Sequence, residues 1–338
     1  MTYYDVISIG EEKIIPLLVM KYGLEGYMFA PIQSHEGGRN AVYLGKRENE
    51  STVVVRISYQ NNRSKEDYLA ELEFVRYLYE NGASVANVIS SKDGNLIEEM
   101  EYVNQTIYIS VFEKAKGMQL AENGYRYREG VSLTEYFYNC GKTLGKIHQL
   151  SKEYQPLHAR YHFKDKYNKE YIEMLLPESL SVVKHKIVDI LKELEKISKD
   201  NEVYGMVHFD YSDGNYHIDF DNGNITVYDF DNCCYAWYMY DLAELWLHGE
   251  GWIMNETDAQ KRKQFMEKYF AEILRGYRTE TEIDDEIVMK LPLFIQANHI
   301  ELLVDAFEVE RNTGENYLDE EDLEDISKCL LEGEISWC

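Results

Sequence analysis

Basic residues are scarce in this sequence. Its 338 residues contain 35 Lys and Arg against 61 Asp and Glu, which gives a formal net charge of −26. A field of that sign repels nucleic acids and anionic membranes, and it attracts cations or cationic substrates. We find no basic patch that offsets it. The sequence therefore predicts no nucleic-acid partner and no membrane partner.

Cysteines are few, and long hydrophobic runs are missing. The five cysteines form no Cys-x-x-Cys motif and two of them are adjacent, so neither a disulfide framework nor a zinc knuckle is indicated. No apolar run approaches the roughly 18 residues that span a bilayer. The N-terminus shows no signal-peptide pattern. We therefore expect a reduced, cytoplasmic compartment.

Secondary-structure patterns divide the chain into two parts, as its length of 338 residues leads us to expect. Near the N-terminus strand patterns alternate with helical ones, whereas helical periodicity dominates later. The strand patterns cover 27–33, 40–45, 51–59 and 106–112, and the early helical ones cover 11–23 and 64–82. The later helical patterns cover 134–150, 177–197, 258–277 and 287–310, the last kinked or restarted at Pro292. One strand pair, 204–210 with 225–231, interrupts them.

The predicted fold class is therefore α+β with two lobes. We predict a small sheet-rich N-terminal lobe at 1–112, a hinge at 113–117 and a larger helical C-terminal lobe at 118–338.

Residues 208–232 read HFDYSDGNYHIDFDNGNITVYDFDN. Asp210 follows a short strand, Asn215 comes five residues later, and Asp229 lies near the end of the return strand. A hairpin can bring Asn215 and Asp229 side by side. One carboxylate and one amide oxygen suit Mg²⁺ held jointly with phosphates. Asp210 can then orient a substrate hydroxyl and accept its proton. The alternative interpretation is an acidic surface hairpin.

The segment HFDYSDGN…YDFD resembles the H-x-D-x-x-x-x-N…D-x-D signature of the aminoglycoside phosphotransferase and choline kinase-like family. That family shares the protein-kinase fold, and the resemblance runs from roughly residue 20 to residue 250. It implies a bilobal protein-kinase-like fold, Mg²⁺, and ATP or GTP as co-substrate. It also implies that Asp241 braces the catalytic loop. We interpret His208 as structural, bracing the same loop through its ring nitrogens and not acting as a base. Without the resemblance, Asp241 is an ordinary helix N-cap.

A kinase-like site also needs a cation on a central strand and a carboxylate on the neighbouring helix. Glu71 lies on the inward stripe of helix 64–82, where a carboxylate is costly unless a cation meets it. Arg56 is the only basic residue inside a strand of this lobe, so we predict that it pairs with Glu71. In the resemblance, AELEFVRYL matches the family's helix and Glu71 its paired acid. The stripe consists of Tyr68, Leu72, Val75 and Tyr79.

A glycine turn and the hinge complete the predicted nucleotide site. Gly37 and Gly38 allow close backbone approach to phosphates, and Arg39 or Asn40 can touch them, although Gly-Gly is also an ordinary hairpin turn. Backbone groups near Glu113 and Ala115, in the hinge, are expected to meet the adenine edge.

The sequence departs from the family pattern at two positions. Arg56 stands where the family most commonly has Lys, and Phe209 stands where it usually has Gly. Arg still offers a positive fork to a carboxylate and to phosphate oxygens. Phe209 leaves the chemical groups intact but affects the backbone shape of the loop.

The acceptor is expected to be a small molecule, because only eleven residues separate Asp229 from Asp241. That leaves no room for a peptide-docking activation segment. We expect transfer of the γ-phosphate to a hydroxyl of a cationic acceptor: an aminoglycoside, choline or ethanolamine, or an amino sugar. The alternatives are a serine/threonine kinase of the same group and a non-catalytic nucleotide-binding scaffold. Aromatic residues can hold quaternary ammonium, but core packing is the favoured interpretation here for Tyr235, Trp237, Tyr238, Tyr240 and Trp246.

Overall fold

The structure, a computed structural model, describes residues 3–32, 39–60, 63–314 and 316–333. These residues divide into two compact units. The first unit takes in the described residues up to Gly117 and two later segments, Gln155–Arg160 and Thr226–Asp231. The second unit takes in the rest. Among the helices of the described ranges, none combines the length and the apolar character that crossing a membrane requires.

The first unit contains an antiparallel sheet of six strands, which are β1 (Met28–Ile32), β2 (Asn40–Lys46), β3 (Val53–Ser58), β4 (Val88–Ile89), β5 (Glu98–Tyr102) and β6 (Gln105–Glu113). Its strand order is β1-β2-β3-β6-β4, and β5 pairs with β6. Arg56 lies on β3, opposite Val42 of β2 and Ser110 of β6, so it projects from a central strand.

Helices accompany this sheet at two places in the chain. The predicted helix at 11–23 begins earlier than expected, as α1 (Tyr3–Ile9), a π-helical turn (Gly10–Ile14) and α2 (Ile15–Tyr22). It ends at Gly23, whose φ of 71° suits a residue without Cβ. The second helix, α3 (Lys65–Glu80), starts at a capping box in which Ser64 and Asp67 each accept the other's backbone N–H. Its predicted inward stripe is wrong at Tyr79, which is 43% exposed.

Helices dominate the second unit. They are α4 (Leu133–Ser151), α5 (Phe163–Lys166), α6 (Lys169–Leu175), α7 (Ser181–Leu194), α8 (Met239–Gly251), α9 (Ala259–Tyr277), α10 (Asp285–Val288), α11 (Leu291–Thr313) and α12 (Glu320–Glu332). The predicted helix at 287–310 restarts at its proline, because Pro292 occupies the first turn of α11, where a missing N–H costs nothing.

Short strands lie within and beside residues 208–232. They are β7 (Tyr204–Val207), β8 (Tyr216–Ile218), β9 (Ile225–Val227) and β10 (Cys234–Trp237). The predicted pairing of 204–210 with 225–231 is wrong, because β7 pairs with β10, Val207 opposite Cys234. A four-residue strand buried on both faces has no polar–apolar alternation that would identify its partner.

Two glycines let α4 and α9 touch through their backbones. A Cβ built on Gly141 of α4 would lie 1.9 Å from the carbonyl oxygen of Ile273. One built on Gly276 of α9 would lie 2.0 Å from the carbonyl oxygen of Tyr138. Any side chain at either position would therefore force the helices apart.

Most of the aromatic residues that follow residues 208–232 pack in the core of the second unit. Trp237, Tyr238, Tyr240 and Trp246 are each at most 4% exposed, whereas Tyr235 is half-buried. The packing interpretation is confirmed for those four side chains.

Candidate active site

Arg56 and Glu71 form a buried bidentate ion pair in the first unit. The Arg56 Nη1 and Nη2 atoms donate to the Glu71 Oε1 and Oε2 atoms at 2.6 and 2.8 Å. Arg56 is 6% exposed and Glu71 is fully buried. Two parallel charge-assisted hydrogen bonds fix the guanidinium plane against α3. The structure thus brings together the two residues that the sequence analysis paired.

Asp229 belongs to the same unit and has a left-handed backbone. Its φ is 61°, and its Oδ1 atom lies 4.0 Å from Arg56 Nη1. About half of the side chain (49%) is exposed. Nevertheless, restricted hydration and then the neighbouring Asp231 carboxylate raise the pKa of Asp229 to about 6. A divalent cation would offset both effects, so this carboxylate fits the predicted metal ligand.

Asp231 is a residue that the sequence analysis missed. Its carboxylate accepts a hydrogen bond from Arg63, and it lies 3.9 Å from Arg56 Nη1 and 3.8 Å from Arg39 Nε. Burial acts to raise the pKa of Asp231, but the guanidinium groups of Arg63 and Arg56 outweigh it and lower the pKa to about 2. Asp231 therefore stays ionised, and its carboxylate lies close to the guanidinium groups of three arginines, two residues after Asp229 in the chain.

The remaining predicted nucleotide contacts are placed only in part. Gly37 and Gly38 lie outside the described residues, whereas Arg39 is described and directs its Nε towards Asp231. Glu113 ends β6, and its N–H donates to the Asn87 carbonyl at 2.8 Å. Ala115 is 6% exposed. The Glu113 N–H is therefore engaged and does not face a nucleotide base as a donor.

In the second unit, Asp241 holds the backbone of the loop that follows β7. Its Oδ2 atom accepts the His208 N–H and its Oδ1 atom accepts the Phe209 N–H, each at 2.9 Å. Asp241 is fully buried and lies inside α8, so it is not the N-cap of that helix. A buried carboxylate needs such donors to offset its lost hydration.

Two side chains from neighbouring helices extend this brace. His148 of α4 is fully buried, and its Nε2 hydrogen-bonds to Asp241 Oδ2 at 3.1 Å. The other ring nitrogen, Nδ1, lies 3.0 Å from the Tyr277 hydroxyl of α9. His208 itself is bound through its backbone, and its ring packs edge-on against Tyr211 with centroids 5.8 Å apart. The chain Tyr277–His148–Asp241 therefore ties the loop to two helices.

Glu244 is a second carboxylate that the sequence analysis missed. It lies one turn after Asp241 on α8, and its Oε2 accepts the Tyr211 N–H at 2.7 Å. Burial, followed by the charges of Asp210 and Asp241, raises the pKa of Glu244 well above its ordinary value. Two carboxylates of one helix thus accept three backbone N–H groups on both sides of Asp210. The i, i+3 spacing of acids in YDLAELW was the signal available in the sequence.

Asn215 is the predicted amide ligand of the metal ion. Its Nδ2 donates to the Asp210 carbonyl at 2.9 Å, which leaves Oδ1 as the acceptor of this side chain. Within the described residues no donor reaches that Oδ1, so it can accept a cation. The same ranges contain no group of three His, Cys, Asp or Glu side chains that could hold a metal ion. The predicted ligands Asn215 and Asp229 belong to different units.

A cavity of about 380 Å³ in the second unit has no predicted site residue in its lining. Lys152, Lys164 and Lys199 line it together with tyrosines. Lys152 is already paired with Glu202 and Lys199 with Glu195. We assign this cavity no part in the chemistry.

Known kinases are similar to this chain in sequence and in structure. The amicoumacin kinase of Bacillus subtilis (strain 168) is 26% identical over 293 residues, which is 86% of this chain and 83% of that protein. A solved amicoumacin kinase, in complex with AMP-PNP, Ca²⁺ and Ami, superposes with a TM-score of 0.78 at 24% identity, covering 96% of this chain and 92% of that one. A microcompartment-associated aminopropanol kinase superposes with a TM-score of 0.68 at 17% identity, covering 95% of each chain.

These likenesses confirm the predicted α+β, protein-kinase-like fold class. The family model described as the phosphotransferase enzyme family (APH) matches residues 32–282, which is more than half of the chain. That range contains the loop braced by Asp241 and the Arg56–Glu71 pair, and the match confirms the resemblance drawn from those residues. The chain belongs to the phosphotransferase enzyme family.

Proposed function

We propose that this phosphotransferase transfers the γ-phosphate of ATP or GTP to a hydroxyl of a small cationic acceptor. The observation that carries the proposal is the loop around Asp210, which is held by backbone hydrogen bonds to Asp241 and Glu244 on both sides of the carboxylate. A general base for phosphoryl transfer must first be held within hydrogen-bond reach of the acceptor hydroxyl, and only then does its pKa affect the rate.

The nucleotide is assigned to groups of the first unit. Arg56, oriented by Glu71, offers a fixed positive fork to phosphate oxygens. Arg39, Gly37 and Gly38 are the further proposed phosphate contacts. Asn215 and Asp229 are the proposed ligands of Mg²⁺, which would neutralise charge on the phosphates when bound.

The proposed reaction is an in-line displacement. The acceptor oxygen forms a bond to the γ-phosphorus, and the bond from that phosphorus to the β,γ-bridging oxygen breaks. The proton of the acceptor hydroxyl passes to the Asp210 carboxylate, and the nucleoside diphosphate leaves. Asp210 thus both orients the hydroxyl and accepts its proton.

A cationic acceptor is favoured by the surroundings of Asp210. Glu244 is half-buried, and within the described residues no Lys, Arg or His nitrogen lies within 4 Å of its carboxylate. Asp210, Asp241 and Glu301 add negative charge around it. These negative charges help to raise the pKa of Glu244, and a nearby cation would offset them, so an ammonium group of the acceptor would find a favourable place here. The amicoumacin and aminopropanol kinases named above act on small molecules, which supports this class.

A small acceptor is also favoured by the short segment between Asp229 and Asp241. Four of its residues form β10, which is paired along its length with β7. Those residues are therefore not available as a peptide-docking segment of the kind that protein kinases use.

The test is release of ADP or GDP in the presence of Mg²⁺, screened over aminoglycosides, amino alcohols, choline, amino sugars and a generic protein. Asp210→Asn should keep nucleotide binding and lose about 10²–10⁴-fold in rate, since general-base catalysis contributes that much. Full activity of this variant against a true acceptor would refute the role of Asp210. Calorimetric binding of Mg·ATP without any turnover would favour a nucleotide-binding scaffold.

A further inference from the structure

Arg160 is a buried arginine whose guanidinium joins two distant parts of the first unit. It is 3% exposed. Its Nη1 atom donates to the carbonyl oxygen of Asp67 at 2.7 Å, and its Nη2 atom donates to the carbonyl oxygen of Asp231. The segment Gln155–Arg160 belongs to the first unit, although the chain on either side of it belongs to the second.

The two carbonyl groups belong to the elements that carry the nucleotide-site acids. Asp67 lies in the first turn of α3, four residues before Glu71. Asp231 comes two residues after Asp229, the proposed metal ligand. Because a planar guanidinium presents donors in a fixed fork, one side chain sets the distance between these two backbone segments.

Further contacts join the same partners. His158 Nδ1 lies 2.8 Å from Glu73 Oε1, so the segment meets α3 at a second point. Arg63, just before the start of α3, hydrogen-bonds to the Asp231 carbonyl and carboxylate. The Asp231 carboxylate also provides the negative charge that a buried arginine requires. Arg160 therefore belongs to a buried, hydrogen-bonded contact between α3 and the 229–231 segment.

We propose that Arg160 is a positioning residue for phosphoryl transfer: by bridging α3 and the 229–231 segment, it holds the Arg56–Glu71 pair and Asp229 in place together. The inference rests on the proposed function of those residues. Arg160 makes no contact with substrate in this scheme and acts through Glu71 and Asp229. Phosphoryl transfer requires the Arg56–Glu71 ion pair and the proposed metal ligand Asp229 to be aligned, and Arg160 provides that alignment.

The experiment compares Arg160→Met with Arg76→Met. Arg76 is a matched control, since it lies on α3 and donates to the Val88 carbonyl and the Ser90 hydroxyl at 2.7 and 2.8 Å, without touching the 229–231 segment. We would measure the calorimetric affinity for Mg·ATP, kcat against Mg²⁺ concentration, and the thermal midpoint of each variant. Arg160→Lys keeps the charge without the fork, and Arg160→Ala allows rescue by added guanidinium.

Arg160→Met should lower kcat about 10²-fold, the scale expected for misplaced catalytic groups. It should also weaken Mg·ATP binding and shift the Mg²⁺ dependence to higher concentration. Arg76→Met should lower the thermal midpoint and leave both readouts near those of the wild type. Arg160→Lys should recover little, whereas millimolar guanidinium should restore part of the activity of Arg160→Ala.

Wild-type kcat and Mg·ATP affinity in Arg160→Met would overturn the inference, as would a loss shared equally with Arg76→Met. If Arg160→Met fails to fold, failure of guanidinium to rescue folded Arg160→Ala overturns it as well. A wild-type chain that does not bind Mg·ATP would instead contradict the proposed function itself. The two failures are therefore distinguishable.

Discussion

The ring of Phe209 lies flat on the ring of Tyr240, with centroids 4.2 Å apart and planes 7° from parallel. This stacking occurs although the Phe209 backbone is left-handed, with φ at 68°. That conformation favours glycine and costs a residue with Cβ roughly 1–2 kcal/mol. It explains why the family usually has Gly here. Stacking and the hydrogen bond from the Phe209 N–H to Asp241 offset the cost in this chain.

Phe209→Gly should destabilise the protein even though it relieves the backbone. Phe209 is 4% exposed, and removing a buried Phe side chain typically costs about 3–5 kcal/mol. Relief of the left-handed backbone should return roughly 1–2 kcal/mol of that. Urea unfolding would measure the net loss.

Phe209→Ala is the matched variant, because it removes the ring and keeps the Cβ. It should therefore be less stable than Phe209→Gly by roughly 1–2 kcal/mol, the cost of the left-handed conformation. Equal stabilities would mean that φ at this position carries no strain.

Arg56→Lys should weaken nucleotide binding without abolishing it. An ammonium keeps the charge but cannot make both of the hydrogen bonds that Arg56 makes to Glu71. We expect a several-fold rise in KM for ATP and a stability loss of about 1.5–3 kcal/mol, the value of a hydrogen bond to a charged group. Glu71→Gln is the control and should cost more, about 3–5 kcal/mol, because it removes the one carboxylate that is hydrogen-bonded to the buried Arg56 among the described residues. A KM for ATP unchanged in Arg56→Lys would argue against phosphate binding by Arg56.

Mg²⁺ affinity should fall as pH drops through about 6. The pKa of Asp229 is raised from 3.8 to about 6, and only the ionised carboxylate binds a cation. At pH 5 roughly one carboxylate in ten is ionised, so Mg·ATP should bind roughly tenfold more weakly than at pH 7.5. Calorimetry at both pH values measures this, and Asp229→Asn should show only the dependence of the nucleotide itself.

The same raised pKa has the opposite effect on metal-free stability. Between pH 4 and pH 6 the unfolded chain has released the Asp229 proton while the folded chain retains it. The contribution of Asp229 to stability therefore decreases as pH rises through this window. Asp229→Asn should remove that decrease.

Glu244→Gln and Glu244→Ala separate the hydrogen bond of Glu244 from its charge. Gln keeps an oxygen for the Tyr211 N–H, whereas Ala removes it. If the hydrogen bond holds the loop, Glu244→Ala should lower kcat at least tenfold, and Glu244→Gln should stay within a few-fold. If the carboxylate binds the acceptor cation, Glu244→Gln should raise the KM of the acceptor and leave the KM of ATP unchanged.

The Arg56–Glu71 pair could be predicted because each residue was conspicuous in its own element. Arg56 was the one base inside a strand of its lobe, and Glu71 was an acid on an apolar stripe. Periodicity and capping signals also located α3, α4 and α9 to within a few residues. Such signals are local, so they can be read without knowing the fold.

Arg63, Arg160 and Asp231 could not be paired in this way. Arg160 lies 71 residues from Asp231 in a segment without periodicity, and nothing local marks which carbonyl groups it meets. The partner of β7 was missed for the same reason, since short buried strands carry no register signal. Asp241 was assigned its bracing role from the family resemblance, because its own sequence context equally suits an N-cap.

The backbone contact between α4 and α9 limits where this enzyme can be re-engineered. Gly141 and Gly276 set the spacing of the two helices, and those helices carry His148 and Tyr277, which fix Asp241 against the loop that follows β7. A larger residue at either glycine would shift the support of Asp210 while touching nothing in the active site. Libraries that aim to change acceptor choice should therefore keep this pair of helices constant and vary positions on α8 and α11 around Glu244 and Glu301.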